Sequence, residues 1–290
     1  MSIELKSVLA GAVTLLSEAG VPSPSADANI LVAHVLGVER RELSRRVILG
    51  YQLSADESSR LAGLLDQRSK RVPLQHLTGS AGFRRLDLLV GPGVFIPRVE
   101  TEWVAGVAIE AASVLRDPLV VDLCTGSGAI ALALADELPA ARVVAVELDP
   151  PAVQWAQRNI EALGSRVELR PGDAVRCHEH LLADLAGAVD VVVANPPYIP
   201  PDAEPTEPEV RDHDPVLALY GGGDDGLAIP RGVVEAAAGL LRPGGLLVME
   251  HADVQGAGGR ALTSPPEWID VHTQRDLTGR DRALLARRAG

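Results

Sequence analysis

The strongest constraint on the fold is the alternation of short apolar runs with helical patterns after residue 118. Strand-like runs cover 119–123, 142–147, 167–169 and 189–194, and a last one follows at 245–250. Helical patterns cover 102–115, 129–138, 151–163 and 229–241. Apolar strands separated by helices are typical of βαβ units, so we predict an α/β fold with a doubly wound, Rossmann-like sheet.

The residues before this region differ in character. Residues 1–72 have a helical pattern and predict a small helical domain that holds a partner or braces the larger domain. Residues 73–100 contain repeated Gly and Pro around a β-like run at 86–90, which predicts a hairpin and linker. Residues 101–290 form the predicted α/β domain. The loop 199–226 is long for a compact domain, which favours a lid over the substrate.

Composition and charge exclude several classes of protein. A net charge of −12 disfavours a general nucleic-acid binder, and we predict no direct nucleic-acid partner. No apolar stretch reaches the roughly 18–20 residues that span a bilayer, and the first residues do not resemble a signal peptide. Two cysteines, Cys124 and Cys177, are too few for a disulfide framework. We therefore predict a cytoplasmic protein without a membrane partner.

Three successive strand ends carry groups suited to a nucleoside. The first strand ends in Asp122 and a turn, Cys124-Thr125-Gly126-Ser127-Gly128, whose glycines allow close backbone approach to a ligand. Glu147 ends the second strand and can accept hydrogen bonds from both ribose hydroxyls. Asp173 and Ala174 follow the third strand, where Asp173 can accept from an adenine amine. A dinucleotide site would also suit the turn, because Ala is permitted at the third glycine of that fingerprint.

A fourth strand end carries Asn195-Pro196-Pro197-Tyr198. The prolines end the strand and stiffen the backbone, so the Asn195 side-chain oxygen and the Pro196 carbonyl form two acceptors for a planar NH2 group. Tyr198 can stack on that group. The alternative is that the tetrapeptide is only a turn. Together, the four strand ends describe S-adenosylmethionine beside an amino or amide acceptor.

At this point the chain resembles the HemK/PrmC family of protein-glutamine N5-methyltransferases. The similar segments are 18–24, 33–37, 73–79, 95–102, 195–200, 209–211 and 245–251. The resemblance implies a class I S-adenosylmethionine-dependent methyltransferase that acts on the Gln of the Gly-Gly-Gln motif in class I peptide-chain release factors. It also implies that Asn195, Pro196 and Tyr198 are catalytic, that these three and Pro197 bind substrate, and that residues 124–128, Glu147 and Asn195 line the cofactor site.

The sequence departs from the family pattern at several positions. Cys124 stands where Gly is common, and a thiol fits there only if the backbone angle is unexceptional. Glu147 replaces the more frequent Asp. The segment 256–259 and Pro265-Pro266 interrupt an expected helix, which predicts a looser carboxyl-terminal region.

Other constellations point less clearly to chemistry. His178-Glu179-His180 lacks metal-ligand spacing, so we predict no metal. Arg98 either ties the linker to the larger domain or contacts the cofactor, and His251 either packs or lies near the cofactor. Two further functions stay open: an amino-methyltransferase acting on adenine or guanine in nucleic acid, and a noncatalytic cofactor-binding paralogue.

Overall fold

The computed structural model describes residues 3–290, so the first two residues of the predicted 1–72 domain lie outside the described residues. The chain separates into two compact units. Unit 1 runs to Ser80 and also includes Pro205–His213, whereas unit 2 comprises Ala81–Glu204 and Asp214–Gly290. The functional division at residues 72 and 100 stays a prediction.

Unit 1 is mainly helical. Its elements before residue 80 are β1 (Ile3–Glu4), α1 (Leu5–Glu18), α2 (Pro24–Leu36), α3 (Arg40–Ile48), β2 (Gln52–Leu53), α4 (Ala55–Ser69) and α5 (Leu74–Thr78). Gly37, with φ of +60°, ends α2, and Ser54 forms a capping box with Glu57 that begins α4. Leu16 and Leu31 lie in the core that these helices share. The helical prediction for this region is confirmed.

Unit 2 contains a seven-stranded sheet. The elements that follow in the chain are β3 (Ser80–Phe83), β4 (Leu86–Leu89), α6 (Val99–Ser113), β5 (Leu119–Leu123), α7 (Ala129–Glu137), β6 (Arg142–Glu147), α8 (Pro150–Ala162), β7 (Glu168–Pro171), β8 (Val189–Ala194), α9 (Pro208–His213, in unit 1), α10 (Ala228–Leu240), β9 (Leu241–Glu250), α11 (Gly256–Ala261), β10 (Trp268–Arg275) and β11 (Asp281–Arg288). The predicted hairpin corresponds to the pair β3 and β4.

The strand order in the large sheet is β10-β11-β9-β8-β5-β6-β7. The strands from β9 to β7 are parallel to one another, and β11 and β10 add antiparallel pairs. The chain runs from β5 through β6 to β7 and then returns to β8 on the other side of β5. The switch point therefore lies between β5 and β8, where ligands bind in open α/β sheets.

Helices cover both faces of this sheet. Residues of α6 and α7, among them Val104, Ala108 and Leu132, belong to the apolar core on one face. Residues of α10, among them Val233 and Ala237, belong to the core on the other. Because both faces are covered, the central strands are mostly apolar, as the sequence predicted. No helix within residues 3–290 has both the length and the hydropathy needed to cross a bilayer.

The carboxyl-terminal region corrects one expectation. The Gly-rich segment forms the short helix α11, and β10 and β11 then complete the sheet. Trp268 and the run Ala283–Ala286 are buried. The prediction of a looser region is wrong, because β11 pairs with β9 and buries its apolar side chains in the cores on both faces of the sheet.

The long loop 199–226 is also ordered by local contacts. It contains α9 and a 3-10 turn at Val216–Ala218, and Ile199 forms an isolated bridge with Tyr220. Gly221 and Gly226 pack so closely that a Cβ added at Gly221 would lie 1.8 Å from the Gly226 carbonyl oxygen. The loop thus folds back on itself just after the Asn-Pro-Pro-Tyr segment. That it acts as a lid stays a prediction.

Candidate active site

The carboxyl ends of three strands lie side by side at one edge of the sheet. Leu123 of β5 is in register with Val146 of β6 and with Ala194 of β8. The next residue along each strand is therefore brought to the same edge. The register thus brings together Cys124, Glu147 and Asn195, three of the residues predicted from the sequence to share a site.

The turn after β5 is held in a tight conformation. Gly126 and Gly128 have φ of +58° and +85°, which glycine adopts without strain. A Cβ added at Gly126 would meet no heavy atom within 4 Å, so its backbone faces open space. At Gly128 it would lie 3.1 Å from Leu132 Cδ1. Gly126 therefore leaves room for a ligand, whereas Gly128 permits the close packing that begins α7.

Cys124 does not meet the condition set by the sequence. Its φ is +62°, in the left-handed region that side chains other than Gly rarely adopt. This angle gives a physical reason for glycine to be common at this position. Burial, together with the carboxylates of Glu147 and Asp122, raises the pKa of the Cys124 thiol. The thiol is therefore kept protonated, which disfavours a nucleophilic role.

Asp122, Thr125 and Ser127 stabilise the turn from beneath. The buried Asp122 carboxylate accepts hydrogen bonds from the Thr125 hydroxyl at 2.5 Å and the Ala131 amide at 3.1 Å. The Ser127 carbonyl accepts one from the Asn159 side chain at 3.0 Å. Burial raises the pKa of Asp122 to about 7. The structure thus places Asp122 below the turn as a support, and Asn159 is a support that the sequence reasoning missed.

Glu147, at the end of the neighbouring strand β6, stabilises the turn by accepting backbone hydrogen bonds. Its Oε2 accepts from the Gly126 amide at 2.7 Å, and its Oε1 accepts from the amides of Leu148 and Asp149, both at 2.9 Å. Burial raises the pKa of Glu147, and these three backbone donors oppose the rise. A carboxylate offers about four acceptor positions, so one remains for a ligand hydroxyl.

Asp173 and Ala174 lie after β7. The exposed Asp173 caps the 3-10 helix Ala174–Glu179 by accepting from the Val175 amide through Oδ1 at 2.9 Å. Ala174 is buried in the core below. Since β7 pairs with β6 and Glu147 is in register with Pro171, Asp173 follows the strand beside Glu147.

The Asn-Pro-Pro-Tyr segment follows β8 and is held at both ends. The Asn195 side-chain NH2 donates to the Thr101 hydroxyl at 3.2 Å, which directs the donor end of this amide towards α6. The Tyr198 hydroxyl donates to Glu250 Oε1 at 3.2 Å, and its carbonyl accepts from the Gln255 side chain at 2.8 Å. Pro196 is buried and Pro197 is half-buried.

Thr101 and Glu250 contact the Asn-Pro-Pro-Tyr segment, and sequence reasoning did not include them in the site. Both fall in segments that resemble the family, but nothing local in either segment indicates that they meet. Thr101 donates to Glu250 Oε2 at 2.8 Å, although 149 residues separate them in the chain. Burial raises the pKa of Glu250 to about 7, against the opposing effects of the Thr101 hydrogen bond and the Arg282 charge.

The remaining candidates have structural partners. Arg98 forms an ion pair with Asp214 at 2.5 Å and lies over the Phe95 ring. His251 is fully buried and donates through Nδ1 to the Ala252 carbonyl at 2.7 Å. Within residues 3–290, His, Cys, Asp and Glu form no group of three or more that could hold a metal ion.

The chain matches two protein-family models and several named relatives. Residues 7–79 match the family model of the PrmC N-terminal domain, and residues 105–207 match that of the methyltransferase small domain. Proteins named release factor glutamine methyltransferase are similar over nearly the whole chain. The one from Streptomyces coelicolor is 50% identical, with 97% of each chain covered. The one from Deinococcus radiodurans is 39% identical, with 99% of this chain and all of that protein covered.

Among solved structures, the Thermus thermophilus 16S rRNA N2 G1207 methyltransferase, in complex with AdoMet and guanosine, has a TM-score of 0.52 at 22% identity. It covers 72% of this chain and 49% of that one. At this identity the likeness shows the fold alone. The match to the methyltransferase small domain, with the strand order and the fold that this likeness shows, defines a class I S-adenosylmethionine-dependent methyltransferase, which confirms the predicted fold class.

The particular family follows from the full-length relatives. The chain belongs to the release factor glutamine methyltransferases, the HemK/PrmC family that the sequence motifs predicted.

Proposed function

We propose that this protein transfers the methyl group of S-adenosylmethionine to the side-chain amide nitrogen, N5, of a glutamine in a peptide-chain release factor. The observation that carries the proposal is the placement of Asn195 beside the glycine turn at the switch point. Family membership supports the release factor as substrate. The finer assignment to the Gly-Gly-Gln motif of a class I factor rests on the sequence resemblance, and the assignment to the cytoplasm rests on the cysteine content and the first residues of the sequence.

The residues at the sheet edge fit this cofactor. The open space at Gly126 leaves room for a ligand against the backbone, and the remaining acceptor position of Glu147 suits a ribose hydroxyl. Asp173 Oδ2 can accept from the adenine amine. We assign the cofactor to Asp122, Cys124, Thr125, Gly126, Ser127, Gly128, Glu147, Asp173, Ala174 and Asn195, with Asp122 acting from beneath the turn. Bound there, S-adenosylmethionine supplies an electrophilic methyl group.

The chain's own residues then have a task of alignment. An amide nitrogen is a poor nucleophile because its lone pair is delocalised, so orientation of the NH2 group decides the rate. Asn195 Oδ1 and the Pro196 carbonyl accept from the two N–H groups and direct the nitrogen at the methyl. Pro197 keeps this backbone rigid, and the Tyr198 ring packs on the amide plane. Positioning of reactants can supply about 7–11 kcal/mol.

These acceptors also act on charge. The lone pair of the amide nitrogen would form the new bond to the methyl carbon while the C–S electron pair returns to sulfur. Positive charge would therefore grow on the N–H groups during the step, and one N–H proton would then pass to solvent water. Acceptors aimed at those groups stabilise the transition state more than the bound substrate. Their effect is therefore expected on kcat.

The test is direct. Purified protein is incubated with S-adenosylmethionine and the cognate class I release factor, and peptides of the factor are mapped by mass spectrometry. One added CH2 group on the Gly-Gly-Gln glutamine is expected, with none on a factor that carries alanine there. Cofactor binding without any added mass would overturn the proposal. Methylation of adenine or guanine in RNA or DNA offered in parallel would then identify the alternative substrate.

A further inference from the structure

We propose that Thr101 and Glu250 are positioning residues that set the orientation of the Asn195 amide and the Tyr198 ring. This inference rests on the proposed function, in which Asn195 and Tyr198 are the side chains that hold the substrate amide. The hydrogen bonds of Thr101 and Glu250 join them to each other, to Asn195 and to Tyr198. They act through Asn195 and Tyr198, which occupy the same four-residue segment.

The acceptor of the Thr101 hydroxyl hydrogen determines the rest of this network. A hydroxyl carries one hydrogen to donate and can also accept. Glu250 Oε2 lies 2.8 Å from Thr101 Oγ1, and an ionised carboxylate can only accept. Whenever Glu250 is ionised, the hydrogen is therefore committed to it, and the Thr101 oxygen can serve only as an acceptor.

This commitment fixes the side-chain amide of Asn195. An Asn side chain presents an oxygen on one side and an NH2 group on the other, and it can exchange them by rotation. Because Thr101 Oγ1 can only accept, the NH2 group must face it, as observed at 3.2 Å. The Asn195 oxygen then faces away from Thr101. The substrate NH2 group requires acceptors, and Asn195 offers one only in this orientation.

The second carboxylate oxygen of Glu250 acts on Tyr198. Oε1 accepts from the Tyr198 hydroxyl at 3.2 Å, while Gln255 holds the Tyr198 carbonyl. The ring is thus held at its tip and at its backbone. One buried carboxylate therefore sets two contact groups of the substrate pocket: Oε1 holds Tyr198 directly, and Oε2 acts on Asn195 through Thr101. A role confined to packing would not require this pairing.

The test compares substitutions that differ by one hydroxyl. Thr101→Val removes the oxygen while keeping the shape, and Thr101→Ser keeps the oxygen. Thr263→Val is the matched control, since Thr263 is equally buried but its hydroxyl donates to the Arg260 carbonyl. Glu250→Gln keeps the size of the acid but can no longer accept at both ends. For each variant, kcat, KM for the factor, the Kd of S-adenosylmethionine and the unfolding midpoint are measured.

We expect Thr101→Val and Glu250→Gln to lower kcat by roughly tenfold, the equivalent of one hydrogen bond, with little change in KM or in cofactor Kd. Thr101→Ser should retain most of the turnover, and Thr263→Val should match the wild type. A Thr101→Val enzyme that folds, binds cofactor and keeps the wild-type kcat would overturn the inference.

A second measurement does not depend on the substrate. Hydrogen exchange of the Asn195 side-chain NH2 group, assigned by its loss in Asn195→Ala, reports the contact with Thr101 directly. We expect faster exchange than in the wild type in Thr101→Val, but not in Thr101→Ser or Thr263→Val. Equal exchange in the wild type and all three variants would contradict the inference. If the wild type methylates no release factor, the proposed function fails, and this exchange result still decides the positioning role.

Discussion

Arg71 and Glu209 form a two-fold ion pair within unit 1, with hydrogen bonds of 2.7 Å and 2.6 Å between side chains that lie 138 residues apart in the chain. Arg68 contacts the same carboxylate at 2.8 Å and Asp27 at 2.7 Å. These four charged residues form the Glu209 cluster, which holds α9 against the other helices of unit 1. In the chain, α9 follows the Asn-Pro-Pro-Tyr segment.

Glu209→Gln should destabilise unit 1 by roughly 3 kcal/mol, because it leaves two arginines short of a partner that is largely buried. Hydrogen exchange of peptides from α2 and α4, followed by mass spectrometry, measures this locally. Asp66→Asn is the control: Asp66 pairs with Lys70 on the surface, where such a pair contributes at most about 1 kcal/mol. Equal protection in both variants would show that the cluster does not stabilise unit 1.

The same cluster predicts sensitivity to acid. Burial alone would raise the pKa of Glu209, but hydrogen bonds from Arg71 and Arg68 outweigh it and lower that pKa to about 2. A lowered carboxyl pKa contributes stability above the unfolded value near 4.5 and loses it as pH falls towards about 2. Protection of α2 and α4 should therefore decline over this range in the wild type, and Glu209→Gln should decline less.

Asn195→Ala should lower kcat by a factor of about 10²–10³, by analogy with the loss of one group that stabilises transition-state charge. Cofactor affinity should fall much less than kcat, since Asn195 is only one of the residues assigned to the cofactor and the contact between Gly126 and Glu147 does not involve it. Single-turnover methylation of the release factor, with cofactor affinity measured by calorimetry, separates the two effects. An unchanged kcat would rule out Asn195 as the amide acceptor.

Substitutions of Cys124 should rank by how well each residue tolerates its φ of +62°. Cys124→Gly should leave the unfolding free energy within about 1 kcal/mol, because relief of backbone strain is offset by a more flexible unfolded chain. Cys124→Ala should be less stable than Cys124→Gly, and the β-branched Cys124→Val should lose roughly 2 kcal/mol. Urea unfolding followed by tryptophan fluorescence tests the order. If the valine variant is as stable as the glycine variant, the backbone at Cys124 is not strained.

The ionisation of Glu250 predicts how turnover depends on pH. Below about 7, the protonated acid carries its own hydrogen, which it can donate to Thr101, so the orientation of the Asn195 amide is no longer fixed. The other charged or titratable groups that act on Glu250 are Arg282, Tyr198 and Glu100. We expect kcat to rise with pH through about 7 in the wild type and to lose this step in Glu250→Gln. Identical profiles would contradict the assignment.

The same pKa has the opposite consequence for stability. Since the folded pKa of Glu250 is raised from 4.5 to about 7, the folded state holds its proton more tightly than the unfolded state. The unfolding free energy should therefore fall as pH rises between these values and level off above them. Glu250→Gln should flatten the curve by up to about 3 kcal/mol. Urea titrations at a series of pH values provide the measurement.

Local patterns predicted much of this fold. The strands at 142–147 and 189–194 and the helix at 129–138 agree with the structure to within a residue, because apolar periodicity and chain-breaking residues act locally. The carboxyl-terminal strands were missed. The segment before these strands is rich in Gly, and the strands themselves contain many polar residues. Only the pairing of β11 with β9 shows that the apolar residues 283–286 belong to the core of the sheet.

The sequence by itself determined the class of fold, the order of the strand ends and the identity of the groups at each end. These depend on burial and backbone conformation, which neighbouring residues encode. Only the tertiary structure decided that Thr101 and Glu250 meet behind Asn195, that Glu209 belongs with Arg71, and that Cys124 is left-handed. These hydrogen bonds join residues that are 94 to 149 positions apart in the chain. They form only in the folded structure, so no local sequence pattern predicts them.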